Sequence, residues 1–414
     1  MTRAPWSEPA PPDPGMVVLT LNSGSSSLKF GMYRVGPATV DVLLSGEAES
    51  IGEAQGTFHA RDARGPALPP ETLVFPSQRE AVARVAKLLD DLRMPAPAAI
   101  GHRIVHGGPK LRRHCLIDDE VMGRIEAAAP FAPLHAPAAL AVIGFARRHF
   151  PGVPEAACFD TAFHAAMPEA ARALPIPREL RDEGIERYGF HGLSCESILR
   201  QLGDPPPERL VIAHLGNGAS VTAVRSGHSV DTSMGLTPTG GVIMGTRTGD
   251  LDPGVLLYLM REKKFDAAAL AELVDHRSGL RGISGLSGDM RRLREAASSA
   301  RDARLAIQMF CLSVRKEIAA MAAALEGIDA IVFTGGIGEH DAKARASICA
   351  GLTWTGLSLD EVRNRSAHNP ISAAGSRVRA LVLSTREDEQ IARHAFALAR
   401  GRELAGAKGG RKAR

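Results

Sequence analysis

Apolar residues fill 210–224, LVIAHLGNGASVTAV, as one run that stops at a glycine turn and resumes in alternation with small polar residues. Runs rich in Val, Ile and Leu favour extended backbone, and Gly216 and Gly218 permit a tight turn, so the pattern predicts strand, turn, strand. It returns at 17–33, VVLTLNSGSSSLKFGMY, where Leu28, Phe30 and Met32 alternate after a polar glycine turn. Laying Gly24 over Gly218 brings Ser26 over Ser220, a weak internal duplication of the kind two related domains leave. A third run, AIVFTGGIGEH at 330–340, predicts a buried strand, a Gly-rich turn and a helix start.

Elsewhere the period lengthens. Residues 77–92 open with an S-x-x-E capping box and repeat apolar positions at Val82, Val85, Ala86 and Leu89, which predicts an amphipathic helix. Ile307, Phe310, Val314, Ile318 and Met321 keep helical spacing through 302–325. Short strands are expected at 156–159, at 378–383, and in AIGHRIVHGG at 99–108. LRGISGLSGDMRRL at 280–293 reads as a glycine-rich turn entering a helix. The stretch 231–254, rich in Gly, Thr and Asp, is a loop long enough to suggest a function.

Composition narrows this picture. With 414 residues, 44% of them hydrophobic, the chain can bury two or more cores. No apolar run approaches the roughly 20 residues that cross a bilayer, and the start lacks a signal peptide's apolar segment, so a cytoplasmic protein with no membrane partner is expected. The five cysteines are scattered with no CxxC pair, which suggests neither disulfides nor a zinc site. A pI near 8.9 could mean nucleic acid. The excess sits in the last residues, however, where six Lys or Arg face Glu403 alone and leave about −1 for the rest. With 4% aromatic residues, few platforms exist for stacking bases, and no nucleic-acid partner is expected. Residues 1–15, with five prolines, and 404–414 read as disordered extensions.

Candidate chemistry gathers at the turns. Asn22, Ser25, Ser27 and Lys29 could meet phosphate oxygens or a hydrated metal, or merely form a serine-rich hairpin loop. Arg103, among apolar residues, suits either a carboxylate or phosphoryl ligand, or a salt bridge to an internal acid. Asp160, where its strand ends, could orient a nucleophile or a hydrated metal, or cap a turn. His135 follows a proline-rich turn ahead of a helix, where it could cap or fill space. His191 lies between Phe190 and Gly192, and Arg247 inside the long loop could complete an anion clamp with Arg103. No Walker A loop occurs in the chain.

Three strand-turn sites without a Walker loop resemble the acetate and sugar kinase, heat-shock ATPase and actin superfamily. Within it, NSGSSSLKF, GHRIVHGG, APLHAPA, FDTAFH, RYGFHG, HLGNGAS, DTSMGLTP, MGTRTGDLDPG, SGLRGISGLSGDMR and FTGGIGE resemble, in order, the motifs of the acetate kinase family. The resemblance runs from about residue 17 to 400. It implies two α/β domains of ribonuclease-H-like, actin-like type facing each other across a nucleotide cleft, 16–163 with 388–403 forming one and 164–387 the other.

The resemblance further implies reversible transfer of the ATP γ-phosphoryl to acetate, giving acetyl phosphate and ADP by in-line displacement. Mg²⁺, or Mn²⁺ in its place, would be held through water by Asn22 and Glu387. Asp160 would be the essential acid beside metal and acetate, Arg103 would bind the carboxylate, and Arg247, His191 and His135 would serve the transferring group. Lys29 and Ser25 would lie by the phosphates with His214, Leu215, Gly216, Asn217 and Gly218. Asp289, Met290, Arg291, Gly336, Ile337, Gly338, Glu339 and His340 would hold the adenosine. Val105, Leu134, Phe190 and Pro238 would size the acid, and a homodimer is implied. Leu193, Cys195, Ala136, Leu236 and His340 depart from the family's usual Thr, His, Asn, Phe and Asn. Propionate or a longer acid is the nearest alternative substrate, and a nucleotide-gated chaperone or filament protein the alternative of another class.

Overall fold

A computed structural model describes residues 15–24, 26–133 and 135–410, the backbone alone for 403–410. The expectations for 1–14, Ser25, Leu134 and 411–414 lie outside these residues. In the first half, β1 (Met16–Ser23), β2 (Ser27–Val35), β3 (Val40–Glu49), β4 (Gly56–Asp62), β5 (Glu71–Leu73), β6 (Ala99–Ile104), β7 (Cys115–Leu116) and β8 (Glu155–Phe159) make one sheet of order β5-β4-β3-β2-β1-β6-β8-β7. In the second, β9 (Arg209–Leu215), β10 (Ala219–Arg225), β11 (His228–Thr232), β12 (Ala330–Thr334) and β13 (Arg379–Val382) make a sheet of order β11-β10-β9-β12-β13.

The duplication is therefore real at the level of topology. β3-β2-β1-β6-β8 repeats β11-β10-β9-β12-β13: three antiparallel strands, then two parallel ones. This is the ribonuclease-H-like order. The overlay of the two hairpins needs correction, because β1 stops at Ser23 and β9 at Leu215, which matches Gly24 to Gly216 and not to Gly218. Side chains in strands repeat every two residues, so a shift of two leaves the apolar pattern intact and sequence alone does not detect it. β3, β4 and β5 are additions to the predicted set, their half-exposed faces blurring the alternation.

Each sheet is sealed by a helix that the periodicity predicts. Gln78–Asp91 turns Val82, Val85 and Leu89 onto Leu19, Leu28 and Phe30, with the Phe30 and Phe58 rings stacked at 5.4 Å. Ser77 caps it, its Oγ accepting from the Arg79 N–H at 3.1 Å. Arg301–Ala324 buries Ile307, Phe310, Val314, Ile318 and Met321 against Ala213, Val221 and Phe333. Each such apolar side chain contributes on the order of 1.5–3 kcal/mol. Residues 279–284 are a short helix, Gly279–Ser284, where the sequence suggests a turn; left-handed Gly285 ends it, and Asp289 caps the next, Met290–Ala296.

The closing helix, Glu387–Gly410, returns to the first half and lies across β1, β6 and β8. Its helical backbone runs through 404–410, where the sequence reading expects the start of a disordered tail. Small residues Ala392, Ala395 and Ala399 face the sheet. Gly101 of β6 makes room for it, since a Cβ there would sit 2.5 Å from the Ile391 side chain. This return brings the acids of its first turn beside the ends of β1, β6 and β8.

Candidate active site

Strand ends build the acidic side of the site. Arg103, near the end of β6, turns its Nε and Nη2 to the Asp160 carboxylate just past β8, with Nη2 to Oδ2 at 2.6 Å and Nε to Oδ2 at 3.0 Å. Of the two readings of Arg103, the internal salt bridge is thus the one made here, and it leaves Nη1 with only a 3.3 Å bond to Asn22 Oδ1. Asn22 Nδ2 donates in turn to Asp388 Oδ1 at 2.9 Å. Asp388 is absent from the sequence reading, although its place directly after Glu387, at the head of a helix, is the signal that could have found it.

Three carboxylates thus share this end of the cleft, and they do not ionise equally. Burial pushes Asp160 up, with the neighbouring Glu387 charge adding to it against the pull of Arg103. Burial also raises Asp388, again helped by Glu387. Burial works the same way on Glu387, but Arg103, His214 and Lys29 prevail and hold it below its ordinary range. Two raised acids beside an ionised one mark negative charge that the available cations only partly balance. Carboxylate and amide oxygens in that arrangement fit a hard, hydrated divalent cation.

The opposite wall comes from the second half. The turn after β9 folds on itself, the Gly216 N–H bonding Gly218 O at 3.0 Å, and Asn217 O holds the Gly245 N–H of the long loop at 3.0 Å. That loop is tied down rather than loose: Leu280 N–H bonds Met244 O at 2.8 Å and Ser278 N–H bonds Thr246 O at 3.0 Å. Arg247 is thereby aimed inward, its Nη1 on Pro238 O at 2.9 Å. His191 caps the helix Gly192–Leu202 in the left-handed region, with φ of 59°, a conformation that costs a non-glycine residue about 1 kcal/mol or more. Its Nδ1 lies 2.9 Å from Ser220 Oγ, and a Cβ on Gly218 would lie 3.3 Å from His191 Nε2 and 3.6 Å from Arg247 Nη1. A side chain at 218 would therefore fill the space on which imidazole and guanidinium converge.

His191 stacks on His214 at 4.2 Å, and His214 Nδ1 is 2.8 Å from Ser194 Oγ, which receives the Thr385 hydroxyl at 2.9 Å. Burial first, then His214, Arg103 and Arg247, keep His191 far below the usual imidazole range, and burial with the two arginines brings His135 down to about 4. Both rings are neutral at physiological pH. Ser194 and Thr385 escape sequence reasoning, and Ser220 enters it only through the hairpin overlay, since small hydroxyl residues carry no pattern of their own.

A cavity of about 940 Å³ opens beside Gly216 and Asn217, lined by Asp289, Met290, Arg291, Gly336, Ile337 and His340. It is large enough for a nucleoside. Asp289 Oδ1 accepts from the Arg291 N–H at 2.8 Å, and the two side chains pair at 2.7 Å. Two predicted members do structural work instead. Glu339 Oε1 accepts the N–H groups of Gly335 and Thr385, each at 3.1 Å, and buried Gly338 gives its carbonyl to Arg345 at 2.8 Å. Neither lines the cavity. His214 and Leu215 are buried at the end of β9, and exposed Lys29, opposite Asn22 in the hairpin, acts on the acids by its charge.

Val105 and Phe190 are buried in one cluster, and Pro238 is half-buried beneath Arg247. His106, not anticipated, supports that wall: its ring lies 5.5 Å from Phe190 and 4.4 Å from Tyr188, its Nδ1 accepts the Gly108 N–H at 2.8 Å, and its Nε2 bonds Leu236 O at 3.2 Å. Among the departures, Leu193 and Cys195 are buried, and Leu236 serves through its carbonyl.

The sequence profile of the acetokinase family matches residues 17–393. An acetate kinase of Methylocella silvestris is 44% identical over 92% of this chain and 97% of its own. Among solved structures, Porphyromonas gingivalis acetate kinase superposes with a TM-score of 0.82 at 34% identity, over 93% of this chain and all of that one. A propionate kinase from Francisella tularensis superposes with a TM-score of 0.86 at 35% identity, over 92% of this chain and all of the other.

Proposed function

The chain belongs to the acetokinase family and so transfers a phosphoryl group from ATP to acetate, and from that premise we propose how its residues divide the work. The observation that carries the reading is the convergence of His191 Nε2 and Arg247 Nη1 on the space above Gly218, across the cleft from the Arg103 and Asp160 pair. ATP lies in the 940 Å³ cavity with its phosphates along 216–218, between a unit of 16–163 with 388–403 and one of 164–387.

Arg103 keeps Nε and Nη2 on Asp160 and offers Nη1 to the acid, so the salt bridge orients the guanidinium rather than consuming it. A carboxylate oxygen then attacks the γ-phosphorus in line; its P–O bond forms as the bond to the β-γ bridging oxygen breaks, and ADP leaves with that electron pair. Arg247 and the N–H groups of Asn217 and Gly218 meet charge on the equatorial oxygens, while neutral His191 donates a hydrogen bond from its ring N–H without changing its charge. Asn22, Asp160, Glu387 and Asp388 would hold Mg²⁺, directly or through water, and the ion would neutralise phosphate charge. Val105, Phe190 and Pro238 fit a two- or three-carbon acid. One methylene is worth only about 1–3 kcal/mol in such a pocket, so propionate is turned over as well, consistent with the likeness to a propionate kinase. The chaperone or filament alternative has no support beside family membership.

Two helices in succession, Pro253–Glu262 and Ala267–His276, have no buried residue although both are rich in apolar ones, and Leu257, Tyr258 and Met260 stay exposed. Such a surface supports a homodimer. No helix among the described residues is long and apolar enough to cross a membrane. A cytoplasmic location is proposed from the family's use of ATP. Trapping the acyl phosphate as hydroxamate tests the activity: product is expected from acetate and, more slowly, propionate, and none from any short acid with ATP and Mg²⁺ would sink the reading.

A further inference from the structure

Behind the site, three side chains that the reaction does not use meet across its supporting elements. Glu196 lies on the helix that His191 caps, His394 on the closing helix that begins at Glu387, and His114 just before β7. His394 Nε2 is 2.6 Å from Glu196 Oε2, His114 Nε2 is 3.3 Å from Oε1, and the two imidazole centroids are 3.9 Å apart. The Gln390 amide adds a bond to Oε2 at 3.3 Å.

Two histidines and a glutamate are metal-ligand types, but a tautomer argues against a metal here. The Phe159 N–H donates to His114 Nδ1 at 3.1 Å, so the ring proton sits on Nε2 and points at Glu196. A neutral imidazole in that state has no lone pair on Nε2 to give an ion. What remains is a carboxylate receiving hydrogen bonds from two rings. Burial opposes that charge, yet the two histidines hold the Glu196 carboxyl down at about 2.

The trio ties together the three elements whose ends carry the chemistry. The His191 helix bonds the Asp160 strand end through the Gly192 N–H on Asp160 O, 2.9 Å, and the segment before the closing helix through Ser194 and Ser197, while Leu193 packs on Cys158 and Ile391. Glu196, four residues on from Gly192 and therefore on the same face, adds a charged tie to both neighbours at once. Through His394 it reaches the helix of Glu387 and Asp388, and through His114 it reaches the Phe159 N–H, next to Asp160. We infer that Glu196 is a positioning residue for phosphoryl transfer, holding the His191 helix, the Glu387 helix and the Asp160 strand end in one register.

A misplacement of about 1 Å in reacting groups costs on the order of 10²-fold in rate, so loss of this register falls on kcat rather than on ground-state binding. The inference rests on the site assignment above, and steady-state kinetics of the full-length protein with ATP, acetate and Mg²⁺ tests it. Glu196→Ala is expected to lower kcat about 10- to 100-fold with both KM values within about threefold of the parent. Glu196→Gln restores part of the loss, because its amide still accepts from His114 and can donate to His394 once that ring changes tautomer. His394→Ala mimics Glu196→Ala, and the double variant is no worse than either. A kcat within about twofold of the parent in Glu196→Ala, a loss that follows the unfolded fraction by circular dichroism, or no rescue by Gln would overturn the inference. So would a stoichiometric transition-metal ion in the parent that Glu196→Gln lacks. An inactive parent would instead sink the assignment of the reaction.

Discussion

Arg103 shows how one side chain serves two partners. Its guanidinium has donors on two edges; Asp160 takes one edge and the weak bond to Asn22 leaves the other for a substrate. Arg103→Lys keeps the charge and loses the fork, so kcat/KM for acetate should fall at least about 10²-fold, and Arg103→Ala or Asp160→Ala about 10³-fold or more, with circular dichroism unchanged. Near-parental turnover in either alanine variant would remove that residue from the mechanism. In the role proposed for it, His191 works without titrating, since burial, His214 and the two arginines keep it neutral. Its replacement by Asn should cost kcat about 10²-fold while leaving the pH profile of kcat between about pH 6 and 8 in place. A profile that loses an inflection would show instead that His191 carries a working proton.

At the scale of elements, the chain's periodicities reveal the strands and helices that are regular, and hide what depends on distant partners. The hairpins at Gly24 and Gly216, the capped helix after Ser77 and the helix through Phe310 and Val314 were legible because each repeats one side-chain period. β3 to β5 were not, since half-exposed strands mix polar residues into both faces. The site divides the same way: Arg103 stands out as a charge among apolar residues, Asp160 as an acid where a strand ends, and His191 and Arg247 beside glycines, whereas Asp388, Ser194 and Thr385 matter only because folding carries the chain's last helix to its first strand. Gly101 is hidden for the same reason: it looks like any small residue in a strand, yet it seats the closing helix. Gly101→Val would drive methyl groups into Ile391 and should cost about 1–3 kcal/mol in denaturant unfolding. Activity should fall with it, because the displaced helix carries Glu387; full activity in a destabilised Gly101→Val would uncouple the two.

For the molecule as a whole, buried neutral histidines set an acid limit. Burial, aided by nearby cations at His135 and His106, lowers His106, His135 and His164 to about 4 from 6.5. The unfolded chain therefore takes up protons first. Stability is full above pH 6.5 and falls as pH drops toward 4, by about 1.4 kcal/mol per pH unit for each group. Urea midpoints measured from about pH 7 to 5 should decline with a slope of more than one proton, and a flat profile would contradict the burial described. The proposed homodimer belongs to this scale too: Leu257→Arg with Tyr258→Asp should turn a dimeric parent into monomers by light scattering, and a parent of monomer mass would end the proposal.

The return of the closing helix to the first sheet also has a meaning in time. Ribosomes deliver the chain from its N-terminus at about 5–20 residues per second. Asn22, Arg103 and Asp160 emerge early, but Glu387 and Asp388 come only when the chain is nearly complete. Until then β1, β6 and β8 have no Ala392, Ala395 and Ala399 to cover them. The growing polypeptide thus holds an unfinished first half for most of its synthesis, and a chain that stops before Glu387 lacks two of the acids proposed to hold the metal.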